Sequence, residues 1–231
     1  MSLKPTSQNF YNNRESLMGN SFFPPSTTEA SDTHLDRSKS PCQKALFSVL
    51  NMNEDEYSRF FDPSYDFVYG DSYPSSIDRK SSCGYNYYPP IGWNSFALKV
   101  THYESNLDWL KNDKWATAFH CVGSPGEIHS DGKTTVRKIL EEGLKPGQRQ
   151  QYQDDDAVQG GKVGTGVYFS PKVTSCAGYS GGFTYDGKLY KLGFLCRINQ
   201  KEIRIPKTAR NCWVVPNTRD IRPYKIIVKE F

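Results

Sequence analysis

Gly164-Thr165-Gly166-Val167-Tyr168-Phe169-Ser170-Pro171, followed after a short gap by Cys176-Ala177-Gly178-Tyr179, is the stretch on which the reading of this chain turns. The glycines permit a tight turn and close backbone approach, and Val-Tyr-Phe favours a pleated strand. Tyr168 falls at the start of that strand and Tyr179, eleven residues on, at the end of a short helical turn. This spacing brings both rings to one cleft, where two aromatic faces sandwich a flat heterocycle. The competing reading of the same residues is a turn, a strand and two core tyrosines.

Working outward, 231 residues suffice for one sizeable domain, or one domain with an attached arm. An apolar fraction of 36%, with 14 Pro, 18 Gly and 15 Tyr, favours loops and strands over a helix bundle and indicates a loop-rich α+β protein. The net charge of +4 is too modest to imply nucleic acid or an anionic membrane as partner. Six cysteines, Cys42, Cys83, Cys121, Cys176, Cys196 and Cys212, form no C-x-x-C pair, and no secretory-type apolar leader follows Met1. Free thiols in a reducing compartment are therefore expected, in a soluble intracellular protein, cytoplasmic or nuclear. No apolar stretch approaches the roughly 20 residues needed to cross a bilayer.

Residues 1–39, rich in Ser, Asn, Thr and Pro without a sustained period, are expected to form a flexible arm. Residues 40–87 are expected to hold one short helix and an irregular segment. Ser40-Pro41 supplies N-cap and first helical position, and Ala45, Leu46, Val49 and Leu50 share a face. The domain proper spans 88–231. Strands are expected at Phe96–Val100, Trp115–His120, Leu189–Ile198, Glu202–Ile205, Cys212–Val215 and Tyr224–Val228, and a helix carrying Val136, Ile139 and Leu140 ends at Gly143. Long strands with few helices argue for packed antiparallel sheets.

In chain order, Phe119-His120-Cys121-Val122, the helix ending at Gly143-Leu144, Gly164-Thr165-Gly166-Val167-Tyr168-Phe169 with Ala177-Gly178-Tyr179, and Cys212-Trp213-Val214-Val215 ahead of Asp220-Ile221-Arg222-Pro223-Tyr224 resemble the ADP-ribosyltransferase superfamily, in its poly(ADP-ribose) polymerase type. The resemblance covers roughly residues 88–231. Gly92-Trp93 with Phe96-Ala97-Leu98-Lys99-Val100 is similar to a subgroup found in large multidomain proteins, Neuralized-like ones included.

The resemblance implies an α+β fold of two packed antiparallel sheets forming a cleft, and transfer of ADP-ribose from NAD to a macromolecular acceptor, protein foremost. Breaking the nicotinamide glycosidic bond builds an oxocarbenium-like ribose, so a site must orient the ligand and stabilise positive charge. By resemblance His120, as a neutral ring, donates to a ribose hydroxyl. Cys121 clamps the carboxamide through its main chain, Tyr168 packs beneath the ribose, and Tyr179 stacks on the nicotinamide. Cys176 stands where the family often has a serine that bonds the carboxamide, with Ser175 beside it as a substitute.

The largest departure is Cys212, which occupies the register of the catalytic Glu. A thiol gives little charge stabilisation at neutral pH, so polymer synthesis is not expected. Mono-ADP-ribosylation, slow NAD hydrolysis or NAD binding without turnover is. Cys121, Cys176 and Cys212 match no zinc-ligand spacing and no metal is expected. Asp154-Asp155-Asp156 is a solvated loop or, by resemblance, the border of the acceptor site. Lys201, Arg204, Lys207 and Arg210 form a solvated strand face rather than a nucleic-acid contact.

Overall fold

Helix α1 (Pro41–Leu50) begins on an extended Ser40 with proline in its first turn. It closes on Asn51, whose positive φ of 51° turns its N–H back to the carbonyls of Phe47 and Ser48. The computed structural model describes residues 40–73, 85–103, 109, 115–148 and 150–231; the expected arm at 1–39 and Cys83 lie outside them. Ala45, Leu46, Val49 and Leu50 are all buried, and full burial of a leucine is worth about 1.5–3 kcal/mol.

The segment 40–87 holds more order than one helix. Helix α2 (Glu54–Phe60) starts from a reciprocal cap: Asn53 Oδ1 accepts from the Glu56 N–H at 2.9 Å, and the Glu56 carboxylate accepts from the Asn53 N–H at 3.1 Å. Tyr57 stacks on Phe47 and on Phe61, with ring centroids 4.2 and 4.0 Å away. A 3-10 turn (Pro63–Tyr65) and a two-residue strand β1 (Phe67–Val68) follow.

The fold is mixed α+β, with two antiparallel sheets and few helices. The larger sheet contains β1, β2 (Asn94–Ala97), β3 (Trp115–Cys121), β5 (Phe183–Tyr185), β6 (Lys188–Asn199) and β8 (Ile221–Glu230). Its order is β1-β2-β8-β6-β3, with β5 paired to β6. The smaller sheet is β4 (Val167–Phe169) with β7 (Trp213–Val215). Period-2 alternation puts Ala116, Ala118, Leu192, Phe194, Ile226 and Val228 in one core with α1, whereas Phe119, Leu195 and Ile227 join Trp93 in another. Helix α3 (Thr135–Glu142) ends on Gly143 at φ 82°, as the sequence indicates. Helix α4 (Val173–Ala177) packs Val173, Cys176 and Ala177 into the second core.

Two buried cations stitch the large sheet to its surroundings. Arg197 donates to Thr117 Oγ1 at 2.6 Å and to the Trp109 carbonyl at 3.2 Å. Lys225 Nζ donates to the Tyr65 carbonyl at 2.9 Å. Burial pulls the Lys225 ammonium down to about 8, against the opposing charge of Asp66.

The expected strand at Glu202–Ile205 is not formed. A 3-10 turn (Gln200–Glu202) ends β6, and only Arg204 bridges, exchanging main-chain bonds of 2.9 and 2.8 Å with Val214. Strand β5 adds a hairpin that the strand pattern missed, turning on Asp186 and Gly187 at φ 50° and 73°. Among the described residues no helix is long and apolar enough to cross a membrane.

In the opening motif, Gly164 takes φ 70°, while Gly166 is needed for close approach. A Cβ there would stand 2.6 Å from the Val215 carbonyl oxygen and 2.7 Å from Val214 Cγ1. Gly166→Ala is therefore expected to spread β4 from β7 and lower stability by about 1–3 kcal/mol, measured as a lower urea midpoint. An unchanged midpoint would show that the small sheet yields without cost.

Candidate functional site

On the outer edge of strand β3 a main-chain gap opens at Cys121. The Val122 N–H donates to the Leu192 carbonyl at 3.1 Å, so Val122 and Leu192 form a hydrogen-bonded pair. Alternation then makes Cys121, opposite Gly193, a non-bonded pair whose N–H and C=O turn away from β6. On that outer edge Phe119 exchanges two bonds with Ser170, 2.8 and 2.9 Å, and the Gly123 carbonyl accepts from Gly181 at 2.8 Å. Between them Cys121 presents one donor and one acceptor to the cleft, the complement of a single carboxamide.

That cleft has a volume of about 780 Å³, and His120, Cys121, Tyr168, Ser175, Cys176, Tyr179 and Cys212 all line it. They arrive from four elements: β3 brings the first two, β4 Tyr168, helix α4 and its exit the next three, and the approach to β7 Cys212. The volume lies within the range of small-molecule and cofactor pockets.

His120 Nδ1 lies 2.8 Å from the Tyr168 carbonyl oxygen. A carbonyl only accepts, so Nδ1 carries the proton. Burial, partly offset by this bond, holds the imidazole below its ordinary value of 6.5. The neutral ring with its proton on Nδ1 leaves Nε2 as an acceptor, whereas the resemblance implies a donor there.

Two residues that the sequence did not single out complete the aromatic wall. The Tyr168 hydroxyl accepts the Tyr152 N–H at 3.1 Å, and the two rings lie nearly parallel with centroids 6.2 Å apart. Gln150 grips Gly166 from both sides, its Oε1 accepting the Gly166 N–H at 2.8 Å and its Nε2 donating to the Gly166 carbonyl. Tyr179 stands at the mouth, 73% exposed, with its ring surface open to an incoming ligand. A tyrosine and a glutamine in a polar loop carry no motif, so only their place against Gly166 and Tyr168 reveals them.

The cysteines differ from the expectation of free thiols. Cys121 and Cys176 are joined as a disulfide, with Cα atoms 5.4 Å apart, while Cys42, Cys196 and Cys212 are free. The strand and the helix that carry the pair pack in the same core, which no sequence spacing discloses. Cys212 packs at the edge of a small cluster with Ala157, Val163 and Val214, and burial pushes its thiol up to about 11. It stays protonated at neutral pH.

Among the described residues the cleft lining includes Arg210 and Lys145, the latter paired with Glu142 at 2.6 Å, and no carboxylate. In the acidic loop, Asp155 accepts from Thr208 Oγ1, a lining residue, and its charge adds to burial in raising the Tyr152 and Tyr168 hydroxyls, while Asp156 pairs with Lys162 at 3.0 Å and Lys207 at 3.8 Å. Of the basic stretch, Arg204 donates to the Val163 carbonyl at 3.1 Å and Arg210 faces the cleft. Among the described residues no group of three or more His, Cys, Asp or Glu is placed to hold a metal ion. No protein-family model matches the chain, and no curated protein sequence matches it either.

The lowered His120 value sets a sign for pH dependence. The unfolded chain takes up the His120 proton at about 6.5, before the folded protein does, so this residue's contribution to stability declines as pH falls through that value. In a proton NMR titration the His120 ring is expected to give a midpoint below 6.5. His120→Asn, which keeps a donor for the Tyr168 carbonyl and does not titrate, is expected to flatten the acid limb of stability. A midpoint at or above 6.5 would contradict the neutral-acceptor assignment.

Proposed function

We propose that the cleft binds NAD and that the chain is an ADP-ribosyltransferase-type domain, passing single ADP-ribose units to a protein or other macromolecular acceptor. One observation carries the reading: the outward N–H and C=O of Cys121 follow directly on His120, whose Nε2 is an acceptor, and both residues line one cleft with Tyr168 and Tyr179. An amide, a ribose hydroxyl and a flat ring are the three features that such a surface recognises, and nicotinamide riboside carries them at adjacent positions. Arg210 supplies positive charge for an anionic pyrophosphate, with Lys145 beside the cleft in an ion pair with Glu142 at 2.6 Å.

In this reading the nicotinamide carboxamide pairs with the Cys121 main chain, its ring lies against Tyr179, and the ribose rests on Tyr168 with a hydroxyl donated to His120. Holding the ligand in this way lowers the barrier by orientation, whose full scale in well-placed systems is about 7–11 kcal/mol. Charge stabilisation is the weaker part. The Cys212 thiol stays neutral and the lining has no carboxylate, which argues against chain elongation. Loss of one such electrostatic contact costs on the order of 3 kcal/mol.

The same observation favours a second reading, in which the domain binds NAD without turning it over. The two separate cleanly. Calorimetry is expected to detect NAD binding to the wild-type protein, weakened about tenfold or more by His120→Ala, and labelled NAD to yield mono-ADP-ribosylated product. Binding without product would select the second reading. Cys212→Glu is expected to raise nicotinamide release about a hundredfold. Absence of NAD binding in calorimetry would remove both.

A further inference from the structure

We propose that Cys121 and Cys176 form a reversible thiol–disulfide switch that sets the order of the cleft wall carrying Tyr179. The pair lies on the cleft surface, joins strand β3 to helix α4, and has a Cα separation of 5.4 Å, inside the range of native disulfides. Cys121 is half-buried and reachable from the cleft, whereas Cys176 is buried beneath it. Cys212, in the same cleft, is a free thiol that burial holds protonated, so among the cleft-lining cysteines Cys121 and Cys176 are the bonded pair.

The step needs a dithiol, small or protein-borne, as co-reactant. One dithiol thiolate attacks Cys121 Sγ, breaking the Cys121–Cys176 bond and releasing the Cys176 thiolate. The second dithiol thiolate then attacks the first sulfur of the reductant, forming its internal disulfide and releasing the Cys121 thiolate. Two electrons pass to the protein, and the two protons of the dithiol end on Cys121 and Cys176. The reverse reaction uses a disulfide oxidant with the same balance.

Helix α4 has only five residues and no side-chain N-cap bond. Its other ties include the apolar contacts of Val173 and Ala177, the Lys172 N–H bond to Ser170 Oγ at 3.2 Å, the Lys191 Nζ bond to the Ala177 carbonyl at 2.9 Å, and, past its end, the Ser180 hydroxyl bond to the Val122 carbonyl at 2.7 Å and the Gly181 N–H bond to the Gly123 carbonyl at 2.8 Å. Oxidation adds the one covalent tie, placed one residue from His120 and three from Tyr179. Reduction loosens α4 and with it the stacking face of Tyr179, while the sheet that holds His120 stays in place. The switch itself is independent of the NAD reading; only its ligand arm rests on that reading.

The test uses the whole chain, equilibrated with reduced or oxidised dithiothreitol. Alkylation and peptide mapping are expected to find Cys121 and Cys176 blocked in the oxidised protein and both modified after reduction. Hydrogen exchange of the amides of Cys176, Tyr179 and Ser180, bonded to the carbonyls of Lys172, Cys176 and Ala177, is expected to quicken about tenfold on reduction. Cys121→Ser is expected to show the fast exchange whether or not dithiol is present. NAD affinity is expected to fall several-fold on reduction, as pre-organisation is lost. Both cysteines alkylated in the oxidised protein, or exchange rates that ignore the thiol state, would overturn the switch; these wild-type measurements decide it even if the variant does not fold. Exchange that tracks the thiol state while NAD binds neither form would uphold the switch and remove the NAD reading.

Discussion

Two main-chain hydrogen bonds between Phe119 and Ser170, 2.8 and 2.9 Å, hold the small sheet against the edge of the large one. A two-stranded sheet is marginal by itself, and β4 with β7 needs this attachment. The cleft follows from it. Ser170 ends its contact at Phe119, and β3 runs on through His120 and Cys121 with its outer edge facing open space. The Tyr168 carbonyl, two residues before Ser170, then lies where His120 Nδ1 can reach it. A bond that joins two sheets thereby also decides which nitrogen of a histidine holds its proton.

The electrical character of the cleft is uniform once these positions are set. A neutral imidazole, a protonated thiol and the hydroxyls of Tyr168 and Tyr152, raised further by burial, line the interior, and Arg210 stands among the lining residues with Lys145, which is paired with Glu142. The Asp154–156 loop that could have added negative charge has Asp155 bonded to Thr208 and Asp156 to Lys162 and Lys207.

Much of this was legible in the residues. Alternation placed β3, β6 and β8 within a few positions, and Pro41 and Gly143 marked the ends of α1 and α3 correctly because both act through local backbone geometry. The Asn53–Glu56 cap and the Asp186-Gly187 turn were equally local signals, present in the sequence and passed over in segments dense with polar residues. Ile203 and Ile205 suggested a strand that did not form. The 3-10 turn at Gln200–Glu202 leaves that segment a single bridge, from Arg204 to Val214. The Cys121–Cys176 bond, the Tyr152 contact and the His120 tautomer depend on approaches between residues 16 to 55 positions apart. No period or spacing in the chain encodes those.

The edge of β3 has one more consequence. An open sheet edge invites other chains to add as strands, and proteins shorten or cover such edges to prevent association. Here the far edge of the large sheet is the two-residue β1. On β3, Ser170 covers the position on one side of the Cys121 gap and Gly181 the position on the other. Strand addition requires a run of alternating donors and acceptors, and this gap supplies one residue's worth. Around Cys121, therefore, the two covered neighbours leave an opening too short for a polypeptide to add as a strand.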